Sequence, residues 1–254
     1  MAMKISFVIP AHNEEAMVGQ CLRSVFDEID RVHDAGVHLD VEVVVVDNAS
    51  TDHTREEALK FPNVTVVSER LKGLVYARRA GWVATDGELV ANIDADTKLP
   101  TGWLTTVLAE FAKDSSLVAL SGPYLYYDLP AWKRALVKVF YFIGWLIHLL
   151  NHHILKVGAM VQGGNFVLKR SAWDSVGGFD VTISFYGEDT DVAKRIGVVG
   201  GVLWTWRLPM YTTGRRLEKE GLVRMSWIYT LNHLSVLWTG KPATQKYSDI
   251  RIDA

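Results

Sequence analysis

Apolar runs of strand length alternate with helix-length segments through the first hundred residues of the chain. The predicted strands cover residues 4–10, 41–46, 63–68 and 89–93, and short runs of this kind are typical of buried strands. Alternating strands and helices favour an α/β fold, with a mainly parallel central sheet flanked by helices. Open sheets of this class bind ligands beyond the carboxyl ends of their strands, so we expect the site there.

Two carboxylates follow the fourth run. Asp94 and Asp96 stand two residues apart, and on an extended backbone such side chains point to the same side. Hard oxygen ligands suit Mg²⁺ or Mn²⁺, which proteins usually hold with one or two carboxylates and substrate phosphates. A solvated turn is the better explanation for an isolated Asp-x-Asp, so the metal interpretation depends on the rest of the chain.

The first and second runs also end in polar residues. Asn13 is placed to cap the next helix, with Glu14 and Glu15 in its favourable first turn. Asp47 ends the second run, where such a residue either caps a helix or lines a polar site. The chain has neither a Gly-x-Gly-x-x-Gly after the first run nor a Gly-x-x-x-x-Gly-Lys-Ser/Thr anywhere. These absences disfavour dinucleotide-binding Rossmann proteins and P-loop NTPases.

Composition narrows the class of protein. The 254 residues are 49% hydrophobic, enough for one large α/β domain. With 27 basic and 29 acidic side chains, a net charge of -2 gives no electrostatic case for binding nucleic acid. The one cysteine, Cys21, excludes an internal disulfide framework and fits a reducing compartment. No secretory signal is predicted, so we expect a cytoplasmic protein.

Three segments resemble, in order, the motifs of family two glycosyltransferases of the GT-A fold. They are Val-Ile-Pro-Ala-His-Asn-Glu-Glu (8–15), Val-Val-Asp-Asn-Ala-Ser-Thr-Asp (45–52) and Asp-Ala-Asp (94–96). The resemblance implies a nucleoside diphosphate sugar as donor, expected to be a UDP-sugar, with Mg²⁺ or Mn²⁺ as cofactor. It also implies that Asp96 is the principal metal ligand and that Asp94 lies nearer the ribose. The nucleoside would be held by Pro10, Ala11, Glu14 and Asp47.

Two arginines are candidates for the donor side. Arg78, on a helix predicted over residues 73–84, takes the family's usual basic position, although a solvated helix face explains Arg78 and Arg79 equally well. Arg215 follows a probable strand and an irregular stretch. Near a diphosphate it could stabilise the leaving group, with an ordinary surface loop as the alternative.

The acceptor side is predicted from two later segments. Gly163, Gly164 and Asn165 precede a strand, where glycines mark either a close approach or a bulge; the resemblance places them beneath the donor sugar and the acceptor. Glu188 and Asp189 begin a helix, where the dipole alone favours acids. The resemblance makes Asp189 the general base and Glu188 a residue that orients the acceptor.

An apolar insert covers residues 129–161. Its uninterrupted part is shorter than the roughly 20 residues that span a bilayer, which leaves a core helix, an interfacial helix or a dimer contact. Aromatic residues and flanking cations favour an interfacial helix that contacts a membrane peripherally, on its inner face, through residues 136–150. A lipid or lipid-linked acceptor would follow. A second apolar helix, predicted over residues 222–238, could pack beside the insert.

The sequence therefore predicts one domain over residues 1–254. Residues 1–100 form its nucleotide-sugar-binding half, and residues 101–254 form its acceptor half. The predicted activity is metal-dependent, inverting transfer of one sugar to a hydroxyl group. Single transfer is favoured over polymerisation because the Gln-x-x-Arg-Trp string of processive synthases is absent. Two alternatives remain: a nucleotidyltransferase, although its usual Gly-rich basic loop is missing, and an inactive nucleotide-sugar-binding protein.

Overall fold

A computed structural model of the chain describes residues 3–149, 160–183, 185–244 and 249. The strands are β1 Lys4–Ala11, β2 Asp40–Asn48, β3 Val64–Glu69, β4 Leu89–Ile93, β5 Thr97–Lys98, β6 Leu117–Ser121, β7 Tyr124–Tyr126, β8 Asn165–Lys169, β9 Gly201–Trp204 and β10 Met210–Thr212. The helices are α1 Val18–Asp34, α2 Thr54–Leu59, α3 Leu74–Val83, α4 Trp103–Lys113, α5 Ala131–Leu149, α6 Arg170–Ser175, α7 Glu188–Ile196, α8 Arg215–Glu220 and α9 Leu222–Thr239.

The main sheet, as far as the described residues show it, has the strand order β3-β2-β1-β4-β8-β6-β9. β1 pairs in parallel with β2 and β4, and β2 pairs in parallel with β3. β8 runs antiparallel to both of its neighbours, β4 and β6. The predicted α/β fold with a mainly parallel sheet is confirmed.

Both faces of the sheet are covered at its centre, which explains why β1 and β4 are almost entirely buried. Alternate residues of β2 belong to different cores: Val43 and Val45 pack in the one that contains α1, and Val44 and Val46 in the one that contains α3. This alternation follows from the two-residue period of a strand. Cys21 is fully buried on α1.

A second, small sheet brings distant segments together at the carboxyl edge of the main sheet. Its order is β5-β10-β7 in the part of the chain that is described. Thr212 of β10 pairs with Thr97 of β5. The residues just after β10 are therefore held against the Asp94–Asp96 turn, which immediately precedes β5.

The predicted cap of the first helix is wrong. α1 begins at Val18, so Asn13, Glu14 and Glu15 lie before the helix and not in its first turn. Asn13 has a positive φ of 51°, and its side-chain oxygen accepts a hydrogen bond of 2.8 Å from the Thr51 amide. Asn13 thus ties the turn after β1 to the turn after β2 and is not free to cap α1.

The insert contains a helix, α5, whose outer face is not buried. Leu136, Val139 and Phe142 are each at least half exposed, whereas Val137 is buried in a cluster with residues of α8 and α9. A fully buried core helix is therefore excluded for this part of the insert. No helix within the described ranges is long and apolar enough to cross a membrane. Residues 150–159 of the predicted insert, and the side chains of residues 147–149, lie outside the description.

Candidate active site

A cavity of about 500 Å³ opens at the carboxyl ends of β1, β2 and β4, where an open α/β sheet is expected to bind its ligand. One end is formed by the turns after these strands, including Pro10, Ala11 and Asn48. The opposite end is formed by α5 and α9, with Phe140 and Tyr229 among its residues. The cavity therefore has a polar end made by the sheet and a more apolar end made by the helices.

Arg78 is fully buried and lines the cavity. Its guanidinium binds the Glu188 carboxylate, lies 3.3 Å from Asp94 Oδ1, and stacks over the Phe166 ring at 5.0 Å. Burial acts to lower the pKa of Arg78, but Glu188 and Asp94 more than offset it, so the pKa is raised. Arg78 thus links the turn after β4 to the start of α7, while Arg79 is exposed. The solvated-face alternative holds for Arg79 and fails for Arg78.

Tyr124 holds the other oxygen of Asp94. Its hydroxyl lies 3.0 Å from Asp94 Oδ2 and also contacts the Gly163 carbonyl oxygen, so it can donate to either. Burial and the nearby Asp94 charge raise the pKa of Tyr124, which keeps the hydroxyl protonated. Gly164 has a φ of +75°, and a Cβ atom there would lie 2.1 Å from Asp94 Oδ2. A glycine is therefore required at this position, because the Asp94 carboxylate lies against it.

Asp96 forms a second charged cluster with Arg215 and Glu14. Arg215 Nη2 lies 2.9 Å from Asp96 Oδ2 and 2.8 Å from Glu14 Oε2, and Thr213 Oγ1 donates a hydrogen bond of 3.3 Å to Asp96. Burial acts to lower the pKa of Arg215, but Glu14 and Asp96 raise it overall. Arg215 is therefore part of the charged network of the cavity and does not lie in an ordinary surface loop.

The start of α7 brings two carboxylates, those of Glu188 and Asp189, to the same cavity. Gly187, with a φ of 83°, precedes the helix. Asp189 Oδ1 accepts the Thr190 amide hydrogen bond at 2.8 Å, and Oδ2 accepts the Gly163 amide at 3.3 Å. Burial raises the pKa of Glu188, and the positive charge of Arg78 only partly opposes this increase. Glu188 Oε1 is buried and makes no hydrogen bond within the described residues.

Four of the predicted site residues, Glu14, Asp47, Gly164 and Asn165, do not line the cavity. Glu14 is buried beneath Arg215. Asp47 Oδ1 accepts the Ser50 amide at 3.2 Å. Asn165 is fully buried, and its side-chain amide donates to the carbonyl oxygens of Gly122 and Leu208. The predicted site residues that do line the cavity are Pro10, Ala11, Arg78, Asp94, Asp96, Gly163, Glu188, Asp189 and Arg215.

Several residues of the site are not among those that the sequence predicts. Asn48 lines the cavity next to Asp47, and its side chain accepts the Gly73 amide at 2.8 Å. Tyr124 begins β7 of the small sheet, Thr213 directly follows β10, and His233 comes from the apolar helix α9. The polar cluster around Asp47 could have indicated Asn48, but the other three are identified only by the tertiary structure.

The carboxylates of the cavity wall include a candidate ligand for a divalent metal. The described residues contain no group of three or more His, Cys, Asp or Glu side chains that could hold an ion. Mg²⁺ and Mn²⁺ need only one or two carboxylates where substrate phosphates complete the shell. The hydrogen bonds of Asp96 within the described residues all go to Oδ2, so Oδ1 is available. One carboxylate on the cavity wall fits a metal that is held jointly with a diphosphate.

Comparison with known proteins agrees with this geometry. The sequence model of glycosyl transferase family 2 matches residues 6–177, more than half of the chain. Polypeptide N-acetylgalactosaminyltransferase 8 of Drosophila melanogaster is 25% identical over 217 residues, 78% of this chain and 35% of that protein. A dolichol-phosphate mannosyltransferase of Pyrococcus furiosus is 31% identical over 127 residues, 48% of this chain and 34% of its own length. The chain thus spans about a third of each relative.

A solved structure shows the same fold. The mannosyltransferase of Pyrobaculum calidifontis, in complex with GDP-mannose and Mn²⁺, superposes with a TM-score of 0.67 at 22% identity. The match covers 92% of this chain and 62% of that chain. At this level of identity the likeness establishes the fold alone.

Proposed function

This chain belongs to glycosyl transferase family 2, and we propose that it transfers one sugar from a nucleoside diphosphate sugar to a hydroxyl acceptor, inverting the anomeric carbon. The observation that carries the proposal is that Asp96 and Asp189, distant in sequence, line one cavity. Asp96 belongs to its donor end, beside Arg215. Asp189 stands at the start of α7, where its carboxylate is hydrogen-bonded only to backbone amides and to the Thr190 hydroxyl among the described residues.

The donor end suits a nucleoside diphosphate. Pro10 and Ala11 would face the nucleoside, and Asp94 would lie nearer the ribose. The Arg215 guanidinium, which pairs with two carboxylates here, would turn to the diphosphate, since guanidinium groups bind phosphate in a bidentate geometry. Glu14, Asp47, Gly164 and Asn165 would act from behind, by holding these residues in place.

We propose Mg²⁺ or Mn²⁺ as the cofactor, with Asp96 as its protein ligand. A divalent metal there would neutralise charge on the leaving diphosphate. The complex of the Pyrobaculum protein with GDP-mannose and Mn²⁺ supports both the donor class and the metal. The resemblance of the motifs indicates a UDP-sugar, so a donor screen should include both UDP-sugars and GDP-sugars.

Asp189 would act as the general base. The acceptor hydroxyl gives its proton to Asp189 as its oxygen attacks the anomeric carbon, and the bond to the diphosphate breaks on the opposite side. Glu188 Oε1, which is buried and has no hydrogen-bond partner in the part of the chain that the structure describes, would accept a hydrogen bond from a substrate hydroxyl. Arg78 holds Glu188 in that position.

The helices at the other end of the cavity favour a lipid or lipid-linked acceptor. Val137, Phe140 and Ile143 of α5 line the cavity together with Leu222 and Leu234 of α9. Next to it lies a groove of about 360 Å³, which shares Leu222, Ser226 and Thr230 with the cavity. An apolar chain could leave the cavity by this route while its polar group stays near Asp189.

The outer surface of the same helices supports a peripheral membrane contact. Trp132 is 62% exposed, Trp227 64% and Trp238 83%, and exposed apolar patches of this kind mark membrane or protein contacts. Lys133 and Lys138 lie on α5, and aromatic residues beside basic ones suit the headgroup region. We place the protein on the inner, cytoplasmic face of a membrane, where its single buried thiol stays reduced.

Incubation of the protein with UDP- and GDP-sugars tests the proposal. The reaction is run with Mn²⁺, Mg²⁺ or EDTA, and with or without a total lipid extract. We expect one donor to release free nucleoside diphosphate, with metal required and with the label entering the lipid fraction. Pyrophosphate would indicate a nucleotidyltransferase. Donor binding without any product would indicate an inactive nucleotide-sugar-binding protein.

A further inference from the structure

The imidazole of His233 is connected to Asp189, the proposed general base, through the hydroxyl of Thr190. His233 of α9 has its Nδ1 atom 3.2 Å from Thr190 Oγ1 on α7. Thr190 donates its backbone N–H to Asp189 Oδ1 at 2.8 Å, and its Oγ1 lies 3.4 Å from the same oxygen. His233 also lines the cavity. The arrangement places a titratable group two hydrogen bonds away from the proposed base, on an element that the donor motifs do not include.

The surroundings of His233 favour its neutral form. Burial lowers the pKa of His233, and the nearby Asp189 charge only partly opposes this. The other charged groups on the packed helices are engaged elsewhere. Lys194 of α7 donates to the carbonyl oxygens of Val236 and Leu237, and Arg216 of α8 pairs with Glu220 at 2.7 Å. Tyr229, one turn earlier on α9, has a raised pKa because it is buried, and so it is neutral.

We propose that His233 is a positioning residue for Asp189, because its protonation state decides whether the Thr190 hydroxyl points away from the carboxylate or toward it. This inference rests on the proposed function. In the neutral tautomer with its proton on Nε2, Nδ1 accepts the Thr190 O–H, and Asp189 Oδ1 keeps only the backbone amide. In the protonated state Nδ1–H donates to Thr190 Oγ1, so the hydroxyl proton turns to Asp189 Oδ1.

The two states differ in the basicity of Asp189. An additional hydrogen bond to the carboxylate and a nearby positive charge both stabilise its ionised form. The ionised form is then a weaker acceptor for the proton of the attacking hydroxyl. Turnover should therefore fall as the pH is lowered through the pKa of His233, which lies below its ordinary value.

The pH dependence of kcat at saturating donor tests the link. The wild type should lose about tenfold in kcat across the His233 titration, less than the roughly 10²–10⁴-fold that a positioned base supplies in total, because Asp189 is weakened and not removed. His233→Gln, which cannot be protonated, should move this acid limb to lower pH. Thr190→Val should weaken the limb, whereas Thr190→Ser, which keeps the hydroxyl, should retain it. The donor KM should stay unchanged in all three variants. An acid limb at the same pH in wild type and His233→Gln would overturn the proposal.

A second measurement does not need turnover. The His233 imidazole is titrated by NMR, with its signal assigned from the spectrum of His233→Gln. Because Asp189 raises the His233 pKa, Asp189→Asn should lower that pKa further. If this shift occurs but no nucleotide sugar is turned over, the proposed function fails and the link between the two residues stands. An unchanged His233 titration in Asp189→Asn would overturn the link, whatever the activity.

Discussion

The two ends of the cavity are built in different ways. At the donor end, charged groups come from short turns at strand ends and pair closely, as Arg215 does with Asp96 and Glu14. At the opposite end, which we propose binds the acceptor and call the acceptor end, α5 and α9 contribute apolar side chains. The outer faces of these two helices remain exposed. The donor end is thus specified by paired charges at fixed distances. The acceptor end is specified by the packing of helices and by whatever covers their exposed surface.

Asp189→Asn should have the largest effect, and it tests whether turnover and donor binding depend on different residues. The change keeps the shape of the side chain and removes its basicity, so turnover should fall about 10²–10⁴-fold, as for other positioned acid-base groups. Donor affinity should change little, because Asp189 lies outside the donor cluster. Single-turnover kinetics and donor titration calorimetry measure the two quantities separately. Asp191→Asn is the control, because Asp191 pairs with Arg195 at 2.8 Å. A large loss of donor affinity in Asp189→Asn would show that the two ends are not separable.

The connection between the two ends is Arg78, and its removal should destabilise the fold. Arg78→Met leaves the Glu188 carboxylate buried without its counter-charge. Breaking one partner of a buried ion pair costs about 3–5 kcal/mol. Urea denaturation measures the loss. Arg79→Met, an exposed position on the same helix, should change the stability by no more than about 0.5 kcal/mol. Equal stability of the two variants would contradict the structural role of Arg78.

The division also explains what could be predicted from the sequence. The alternation of strands and helices and the motifs at residues 8–15, 45–52 and 94–96 indicated the family and the fold, and both are confirmed. Residues such as Asp94 and Asp96 were placed correctly at the sheet edge because a strand end fixes its next few residues. The donor and catalytic roles assigned to individual residues stay predictions.

Other features depend on contacts between distant segments, and no local pattern contains them. Tyr124 reaches Asp94 only because β7 and β5 both pair with β10 in a small sheet. The cap assigned to Asn13 was wrong because its side chain binds the backbone of Thr51 in another turn. His233 belongs to no sequence motif. Its contact with Thr190 exists only because α9 packs on α7.

A test confined to the donor end is Asp96→Asn. The change removes the charge proposed to hold the metal, and it also weakens the pairing that restrains Arg215. We expect affinity for the nucleoside diphosphate in Mn²⁺ to fall at least about tenfold, or ~1.4 kcal/mol. Calorimetry with UDP and GDP, in Mn²⁺ and in EDTA, measures it. The difference between Mn²⁺ and EDTA should disappear in the variant. If wild type and variant bind equally in both conditions, Asp96 is not the metal ligand.

The smallest expected effect concerns the outer surface of the acceptor end. Lys133 and Lys138 lie on α5 beside exposed apolar residues, and a basic residue near an anionic membrane surface contributes ~1 kcal/mol. Lys138→Gln should therefore weaken binding to vesicles with anionic lipid about fivefold, and binding to neutral vesicles should hardly change. Trp227→Ser should weaken binding to both kinds of vesicle, since it removes apolar contact and not charge.

The control for these variants is an exposed apolar residue on the donor side, and it decides between a membrane and a protein partner. Val83, at the end of α3, is 77% exposed, so Val83→Ser should leave vesicle binding unchanged. Sedimentation with vesicles and equilibrium ultracentrifugation are run on the same samples. Failure of the wild type to bind any vesicle, together with dimers that Trp227→Ser dissociates, would favour the dimer contact. The exposed face would then bind a second copy of the chain. The groove beside Leu222 would remain as the one observation in favour of a lipid acceptor.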